Sequence, residues 1–491
     1  MKSSVLTIVA VLTALASQAQ TNTSVVSQTG NAQSATARQT GSANESTIRQ
    51  LTGTSATPNN GNVASTSQVA TGTGANPNQA FVNQLNGSFF NRGTISQKTG
   101  SGNQATISQS GNSGGAGLFG SSVAALGNQA SISQTGSDNK QVSITQNGGT
   151  LGASQANDAR ITQVGTLLDG AGTLGGTVIE QNNLSKGNSA TISQGTANGS
   201  ATRNTATLLQ NDDSQRNTAS ISQEGADKMA NVQQTGQSSD NKTTVVQLGG
   251  MGEVTVLQND VSRNNEATLT QTATAQGVNQ GSIFQTTNSQ YNRATLEQAG
   301  TDGTALISQE NQSANNDALI RQGAGGTNNV AAVTQTYAYA GGSAGANTVL
   351  GSGNSATISQ NQTTNSVQGN VAAITQGSFD VSPATGTVVI STGNTAGVAQ
   401  ENDLNIANLV QVGTGNGATV TQNGNSTLKG VDGITPNDTA GQFGTSNVLT
   451  VTQTGSLTSA NFSNVIQIGT GNVSTITQSV PTTPVPDCCE R

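Results

Sequence analysis

The side chains that could do chemistry in this sequence are primary amides, which recur at fixed spacing along short segments. Asn103 to Gly111 reads NQATISQSG, with Asn, Ala, Ile and Gln two residues apart and small polar residues between them. A buried amide is costly unless it is hydrogen-bonded, and stacked copies of one amide can pair as donor and acceptor. The spacing therefore favours a hydrogen-bonded ladder of identical side chains.

Side chains that commonly carry catalysis are scarce. The chain has no His, which removes the most frequent general base and the commonest metal ligand. Asp212 and Asp213 form the one adjacent Asp pair, which we interpret as a solvated turn, and Gly413-Thr414-Gly415 resembles a phosphate loop only in part. We therefore expect no catalytic, cofactor-binding or metal-binding residue, and no enzymatic activity.

Composition excludes a further class of function. Only 8% of the residues are charged and the net charge is −7, so a long basic patch is missing and nucleic-acid binding is not expected. Low charge with abundant Gly, Ser, Asn and Gln is also typical of disorder. The strict two-residue alternation argues instead for folded strands.

The amide segment is one copy of a repeat that occupies most of the chain. Aligned on the Gln, about 31 copies of N-x-A-x-I-x-Q run from Gln28 to Gln478. In five well-matched copies, the residues that we expect to form the inward ladder are Asn103, Ile107, Gln109, Asn128, Ile132, Gln134, Asn217, Ile221, Gln223, Asn354, Ile358, Gln360, Asn472, Ile476 and Gln478.

Each copy is predicted to be a strand of about seven residues, because residues two apart share one face of a strand. The Ile position holds Ile, Val or Leu in about 29 of the copies, with Ala37 and Thr66 as the exceptions. The Ala position is mostly Ala, and a small residue there lets an opposite sheet approach closely. One face of the strand is thus thin and apolar, with an amide at each end.

Turns of about four residues, commonly with Gly, separate the strands, because the shortest spacing runs from Gln28 to Gln39 and on to Gln50. Two strands would make one coil of about 22 residues, which can bury its apolar face only by stacking. We therefore predict an all-β fold, a β-solenoid of about 15 stacked two-strand coils with cross-β-like stacking, as a rod of roughly 70 Å.

The repeat motif resembles that of a known protein family. Q-x-G-x-x-N-x-A-x-I-x-Q is similar to the curlin repeat of curli functional-amyloid subunits, and the similarity covers nearly all of residues 20–479. The resemblance implies a secreted β-solenoid-like fibre subunit of a biofilm matrix. It also implies partners: a curli-type outer-membrane secretion channel, and other curli-like subunits that nucleate or join the polymer. The chain departs from the family in its length and its wandering spacing.

The two ends of the chain differ from the repeat. Residues 1–19 combine Lys2, an apolar run and Ser17-Gln18-Ala19, which predicts a signal peptide and a secreted, extracellular or cell-surface protein. Residues 480–491 form a Pro-rich tail that ends near Cys488-Cys489. We interpret the tail as either an unstructured end or a blunt cap for the last coil. Its two thiols are then incidental, with intermolecular cross-linking as the alternative.

Four inserts lengthen the spacing between copies, and we interpret them as Gly-rich loops that leave the stack unbroken, with binding loops as the alternative. They lie near Asn112–Leu126, Tyr337–Gly353, Ser378–Thr392 and Asn423–Ser446.

The expected function is structural. Stacked Asn, Gln and Ile strands would leave unpaired strands at both ends, and such ends template the next chain of a homopolymer or co-polymer. The alternative is a non-polymerising secreted solenoid that adheres to host or abiotic surfaces or, less in keeping with the sequence, to ice. Outward pairs such as Thr106-x-Ser108 and Thr475-x-Thr477 suit ice, but varied residues interrupt a regular Thr array.

Overall fold

The structure, a computed structural model, describes residues 7–8, 22–30, 33–41, 43–51, 62–70, 77–85, 91–100, 102–110, 127–136, 142–147, 156–164, 176–182, 185–195, 204–273, 277–323, 327–337, 351–361, 369–378, 391–402, 404–429, 440–455 and 461–479. Most of the expected signal peptide, the whole tail 480–491 and most of the four inserts lie outside these residues.

Every regular element in the described residues is a β-strand, as the two-residue alternation predicts. The strands are β1 (Thr7–Ile8), β2 (Thr23–Thr29), β3 (Ser34–Thr40), β4 (Asn44–Leu51), β5 (Val63–Val69), β6 (Asn78–Leu85), β7 (Arg92–Lys98), β8 (Gln104–Ser110), β9 (Gln129–Thr135), β10 (Val142–Asn147), β11 (Asp158–Val164), β12 (Thr177–Glu180), β13 (Ser189–Gln194), β14 (Thr205–Leu209), β15 (Thr218–Gln223), β16 (Lys228–Gln233), β17 (Lys242–Gly249), β18 (Gly252–Leu257), β19 (Glu266–Ala273), β20 (Asn279–Phe284), β21 (Arg293–Gln298), β22 (Thr304–Glu310), β23 (Ser313–Ala314), β24 (Asp317–Gln322), β25 (Val330–Tyr337), β26 (Gly351–Ser352), β27 (Ser355–Asn361), β28 (Val371–Ser378), β29 (Ser391–Thr392), β30 (Thr395–Glu401), β31 (Ile406–Thr414), β32 (Gly417–Asn423), β33 (Ser426–Lys429), β34 (Ala440–Thr445), β35 (Val448–Thr454), β36 (Asn461–Asn464), β37 (Ile466–Thr470) and β38 (Val473–Ser479). The all-β prediction is confirmed.

The chain divides into two compact units, and unit 1 is Met1–Asn265. Its strands alternate between two parallel sheets, so each strand pairs with the next strand but one in the chain. Sheet A contains β2, β4, β6, β8, β10, β12, β14, β16 and β18, and sheet B contains β3, β5, β7, β9, β11, β13, β15 and β17. The short β1 adds to β2 in the antiparallel direction. Two such parallel sheets are consistent with a β-solenoid.

Unit 2 is Glu266–Arg491 and has the same organisation. Sheet A contains β20, β22, β25, β28, β31, β34 and β37, with the short strands β23, β26, β29, β33 and β36 beside them, and sheet B contains β19, β21, β24, β27, β30, β32, β35 and β38. Here too the neighbouring long strands are parallel.

Strands pair in the register that places like residues side by side. Between β8 and β10, Ile107 lies opposite Ile144 and Gln109 opposite Gln146. A slip of one residue would move every Ile to the solvent face, so the buried face specifies this register. Parallel, in-register pairing is what brings the repeated amides within reach of one another.

The core of each unit is a thin layer of aliphatic side chains between the two sheets. Ile107 and Ile132 in unit 1, and Ile358 in unit 2, are fully buried. Thr66, an exception at the Ile position, is also buried and its hydroxyl lies 2.7 Å from that of Ser46 in sheet A. The exception is thus compensated across the sheets by a hydrogen bond between two buried hydroxyls.

The expectation that Asn423–Ser446 is a loop was wrong for part of that range. β33 (Ser426–Lys429) pairs with β31 and β36, while β34 (Ala440–Thr445) continues sheet A between β31 and β37. Gln442 lies directly opposite Gln411, so this stretch holds one more copy of the repeat strand. It was hidden because Ala440 and Gly441 depart from the repeat frame.

Candidate functional site

The inward Gln side chains form two hydrogen-bonded ladders in unit 1. In each ladder the Nε2 of one Gln donates to the Oε1 of the Gln on the next strand of the same sheet, at 2.7–3.1 Å. The sheet A ladder runs through Gln28, Gln50, Gln84, Gln109, Gln146, Gln181, Gln210, Gln234 and Gln258. The sheet B ladder runs through Gln39, Gln68, Gln97, Gln134, Gln163, Gln194, Gln223 and Gln247.

Unit 2 has two ladders in which, again, the Nε2 of each Gln donates to the Oε1 of the Gln on the next strand of the sheet, at 2.7–3.0 Å. The sheet A ladder runs through Gln285, Gln309, Gln335, Gln376, Gln411, Gln442 and Gln467. The sheet B ladder runs through Gln271, Gln298, Gln322, Gln360, Gln400, Gln422, Gln453 and Gln478.

Each Gln also bonds across to the other sheet. Gln109 Nε2 donates to the backbone oxygens of Asn128 at 3.1 Å and Arg92 at 3.3 Å, both near the start of sheet B strands. Gln134 Nε2 donates in turn to the oxygen of Gln104 in sheet A at 3.2 Å. The amide therefore fixes the spacing between strands within a sheet and closes the end of the core between sheets.

The inward Asn side chains lie at the starts of the strands, at the other end of the core from the Gln ladders, and form hydrogen-bonded chains of their own. Asn103 N–H donates to Asn78 Oδ1 at 3.1 Å, and Asn103 Nδ2 donates to the oxygen of Gly136 in the following turn at 2.9 Å. The same Oδ1-to-backbone chain runs along sheet B through Asn62, Asn91, Asn128, Asn157, Asn188, Asn217, Asn241 and Asn265 in unit 1, and through Asn292, Asn316, Asn354, Asn394, Asn416, Asn447 and Asn472 in unit 2.

The structure places all fifteen predicted ladder residues on the inward faces of strands or at their starts. Twelve of them are at most 2% exposed, and these are Asn103, Ile107, Gln109, Asn128, Ile132, Gln134, Asn217, Ile221, Gln223, Asn354, Ile358 and Gln360. Asn472, Ile476 and Gln478 are half-buried, because β38 has one described neighbour, β35. The residues do not meet at one point; they extend along the stacked strands.

A column of Ser side chains supports the Asn ladder, and the repeat frame alone did not reveal it. Asn188 Nδ2 donates to the backbone oxygen of Ser214 at 3.1 Å and to its Oγ at 2.8 Å, and Asn217 bonds to Ser238 in the same way. The sequence feature that could have predicted this column is the seven-residue spacing from Gln210 to Asn217, in which a Ser follows the Gln by four residues. Such turns recur in both units and stack their Ser residues.

Lys228 stands where an inward Asn is expected and is only 2% exposed. Its Nζ donates to the backbone oxygens of Gly249, at 2.8 Å, and Gly250, as Asn204 Nδ2 donates to Gly225 at 2.9 Å. Burial lowers the pKa of Lys228 to about 8, although the neighbouring Asp227 favours the charged form. A cation thus replaces one amide of the column.

The first strand of sheet B in unit 1 and the last strand of sheet B in unit 2 have free edges among the described residues, whereas β2 in sheet A pairs with β1 over two residues. β3 pairs with β5 only, and β38 with β35 only. Gln28 Oε1 and Gln39 Oε1 accept no hydrogen bond within the described chain, and Asn472 Oδ1 does not either. Within the ladders, the Oε1 of each later Gln accepts from the preceding Gln, as Gln109 Oε1 accepts from Gln84 Nε2.

Within the described residues, the structure contains no group of three or more carboxylate, Cys or His side chains placed to hold a metal ion. No helix in the same part of the chain is long and apolar enough to cross a membrane.

The parallel sheets and the ladders define a class of protein: a β-solenoid-like repeat protein with inward amide columns. A scan against models of known protein families gives no match to this chain. A search of curated proteins gives no match either.

Proposed function

We propose that this protein is a structural subunit of an extracellular curli-like functional amyloid fibre, which serves in a biofilm matrix and in adhesion. One observation supports the proposal most: along each ladder every Gln donates to the Gln on the next strand of its sheet, and the sheet B ladders are left open at β3 in unit 1 and at β38 in unit 2. Gln39 retains a free acceptor on β3, and Gln478 Nε2 has one described acceptor, the oxygen of Phe462, for its two hydrogens. A second copy supplies what each end lacks.

The direction of the ladders selects the way in which copies meet. If β3 of one copy pairs with β38 of another, Gln478 Nε2 can donate to Gln39 Oε1, as Gln453 donates to Gln478 at 2.8 Å within one chain. Two β38 ends would instead oppose donor to donor, and two β3 ends acceptor to acceptor; a buried polar group without its partner costs about 1–3 kcal/mol. Head-to-tail addition is a heterologous contact, which grows without closing.

The proposed fibre subunit is a stack of two-strand coils. Each pair of strands is one coil, about 15 coils make the subunit, and the backbone hydrogen bonds run along the fibre at about 4.8 Å spacing as in cross-β structures. Apolar side chains are exposed on the last strands: Phe462 by 53%, Ile468 by 68% and Val473 by 72%. An added copy would cover part of this surface, which contributes hydrophobic stabilisation to the contact.

The same proposal includes an export route and partners. The signal peptide at residues 1–19 would direct the chain out of the cell, and a curli-type outer-membrane channel would pass it to the surface. There it would polymerise with itself or with other curli-like subunits, and it would attach to host or abiotic surfaces. No cofactor is part of the proposal.

The test compares two Lys substitutions on adjacent positions of β8. Ile107 is fully buried and Thr106 faces outward and is half-buried. Because Ile107→Lys buries an unpaired charge, we expect it to stop or strongly slow fibre growth, whereas Thr106→Lys should leave growth close to that of the unmodified chain. Residues 20–491 are diluted from denaturant, thioflavin fluorescence follows growth, and fibre diffraction of the product should show a meridional spacing of about 4.7–4.8 Å.

A soluble β-rich chain that never elongates would contradict the fibre proposal and leave the fold intact. Unchanged growth of the Ile107→Lys variant would contradict the assignment of Ile107 to the core of the fibre.

One observation favours a second function, binding to a regular surface such as ice. Three consecutive strands of sheet B in unit 2 carry outward T-x-T pairs in register, which the interrupted sequence pattern did not lead us to expect. The stacked Thr residues are Thr419, Thr421, Thr450, Thr452, Thr475 and Thr477. These Thr residues form a grid with spacings of about 4.8 Å between strands and 6.7 Å along a strand. The grid covers three strands, which is a small part of sheet B.

Inhibition of ice recrystallisation tests this second function. The unmodified chain is compared with a Thr450→Lys variant, which breaks the middle of the grid on an outward position. Equal and negligible inhibition by both proteins would exclude it.

A further inference from the structure

The outer face of sheet B in unit 1 contains a polar hollow that neither the ladders nor the free ends explain. It lies over β9, between β7 and β11, and has a volume of about 300 Å³. We name it the β9 hollow. It is lined by Ala130 and by the polar residues Arg92, Thr94, Gln129, Ser131, Asp158 and Arg160.

The register of three strands builds this hollow. Arg92, Gln129 and Asp158 lie side by side in one row, and Thr94 and Ser131 lie beside Arg160 in the next. In the second row the middle strand contributes Ser131, the shortest side chain of that row, so the floor of the hollow is low there, between the long side chains of Arg92 in the first row and Arg160 in the second. Two strand spacings, about 10 Å, separate the strands that carry the two guanidiniums.

Neither guanidinium of the β9 hollow is satisfied within the described chain. Arg92 and Arg160 are exposed, and no side-chain hydrogen bond or ion pair joins them to another described residue. By contrast, two Arg side chains on the outer face of sheet B in unit 2 form ion pairs. Arg321 Nε lies 2.8 Å from Glu297 Oε2, and Arg293 Nε lies 3.7 Å from Glu266 Oε2. The hollow therefore presents unpaired cations in a chain whose net charge is −7.

We propose that the β9 hollow binds an acidic polysaccharide chain through its carboxylate groups. A guanidinium binds a carboxylate through two parallel hydrogen bonds, and two of them carried by strands about 10 Å apart can engage two acidic units of one chain. The hydroxyls of Thr94 and Ser131, the Gln129 amide and the Asp158 carboxylate supply donors and acceptors for sugar hydroxyls between the two cations.

The same lining is poorly suited to nucleic acid. The lining contains no aromatic side chain on which a base could stack. The inference concerns one outward face of unit 1, so it holds whether or not the protein forms fibres.

The test measures binding of the full soluble chain to immobilised polygalacturonate, with dextran as the neutral polymer. We expect binding to polygalacturonate only, with an affinity that falls as salt is raised, because the contacts are charged and exposed. The double variant Arg92→Gln/Arg160→Gln should weaken binding at least ten-fold. Arg293→Gln, which removes a paired Arg from the outer face of unit 2, should leave binding unchanged.

A second variant separates a shaped site from general attraction between charges. Ser131→Tyr fills the hollow without changing the charge and suits a strand, so we expect binding to fall as far as in the double variant. Binding that survives Ser131→Tyr, equal binding to dextran, or no effect of the double variant would overturn the proposal. Duplex DNA that binds as tightly and depends on the same two Arg residues would also overturn it, in favour of phosphate recognition.

Discussion

At the scale of the residue, the fold depends on amide side chains, which water can satisfy on a surface but which need protein hydrogen-bond partners when they are buried. Gln109 donates to Gln146 at 2.8 Å and accepts from Gln84 at 2.8 Å, and it bonds two backbone oxygens of sheet B as well. The net gain from one such bond is about 1 kcal/mol, but a buried partner left alone costs more. A ladder is therefore strong only when it is complete.

Gln109→Leu tests this dependence. The substitution has nearly the same volume but leaves the Nε2 of Gln84 and the Oε1 of Gln146 without their ladder partners, so we expect a loss of about 2–4 kcal/mol of stability. Urea denaturation of unassembled chain gives the change, and hydrogen exchange should show β8 and its neighbours opening first. Ser108→Ala, on the outward face next to Gln109, is the control and should change stability by less than about 0.5 kcal/mol. Equal midpoints for the two variants would contradict a structural role of the ladder.

Lys228 makes the stability of unit 1 depend on pH. Its pKa in the folded chain is about 8, below the usual value of 10.5, so between these values the unfolded chain binds a proton that the folded chain does not. Stability therefore rises as pH is raised from about 8 to 10.5.

Lys228→Asn restores the amide of the repeat and should remove this rise, while raising stability at pH 7, where the buried ammonium is charged. Denaturation midpoints of the two proteins at pH 7, 8.5 and 10 measure the difference. A difference that does not shrink with rising pH would contradict this account.

At the scale of the element, the strands follow directly from the repeat, but the turns contain strain. In the turn from Gln258 to Asn265, Asp260 and Val261 both have positive φ, 55° and 65°. A β-branched residue is disfavoured in this region, whereas Asn tolerates it. At the equivalent turn position in unit 2, Asn288 has φ of 61°.

Val261→Asn should therefore stabilise unit 1 by about 1 kcal/mol, because it relieves backbone strain at a half-buried position. The measurement is the urea midpoint of the unassembled chain. Arg263→Asn changes an exposed residue of the same turn that does not have positive φ, and it should not stabilise the protein. Stabilisation by both variants, or by neither, would show that backbone strain at residue 261 is not the cause.

At the scale of the whole molecule, the proposed fibre grows through strand edges, and the hydrogen-bond pattern identifies the atoms at one of them. Val448 N–H donates to the oxygen of Asn472 at 2.7 Å, so even-numbered residues of β38 face β35. In a parallel pair, the N–H and C=O of the alternate residues point to the other side. Thr475 therefore presents its N–H at the free edge of β38.

Thr475→Pro should block addition at this end while leaving the fold intact, because Pro is tolerated on an edge strand and removes only the outward donor. The variant still carries β2 and β3, so small amounts of it should add to growing fibres of the unmodified chain and slow their further extension. Seeded growth followed by thioflavin fluorescence measures this effect. Thr475→Val retains the N–H and is the control; equal growth with either variant would contradict growth through this edge.

Much of the fold was predictable because each copy of the repeat shows by itself which residues form the buried face of its strand. A seven-residue strand with Ile at its centre and amides at its ends needs no distant partner to be recognised, and so the strands and their inward residues follow from the two-residue period. The turns were less predictable. The strand around Gln442 departs from the frame at Ala440 and Gly441, and its place in sheet A is fixed by the strands β31 and β37 on either side.

The amino-acid sequence therefore determined the strand type, the inward set and the need for stacking, since these depend on local periodicity and on the cost of burying an amide. Tertiary structure decided what depends on neighbours in space: the direction of donation along each ladder, the Lys228 contact with the turn that begins at Gly249, and the β9 hollow with its two unpaired guanidiniums. Residues 92 and 160 are far apart in the chain, and only parallel stacking in register places them two strands apart on one face.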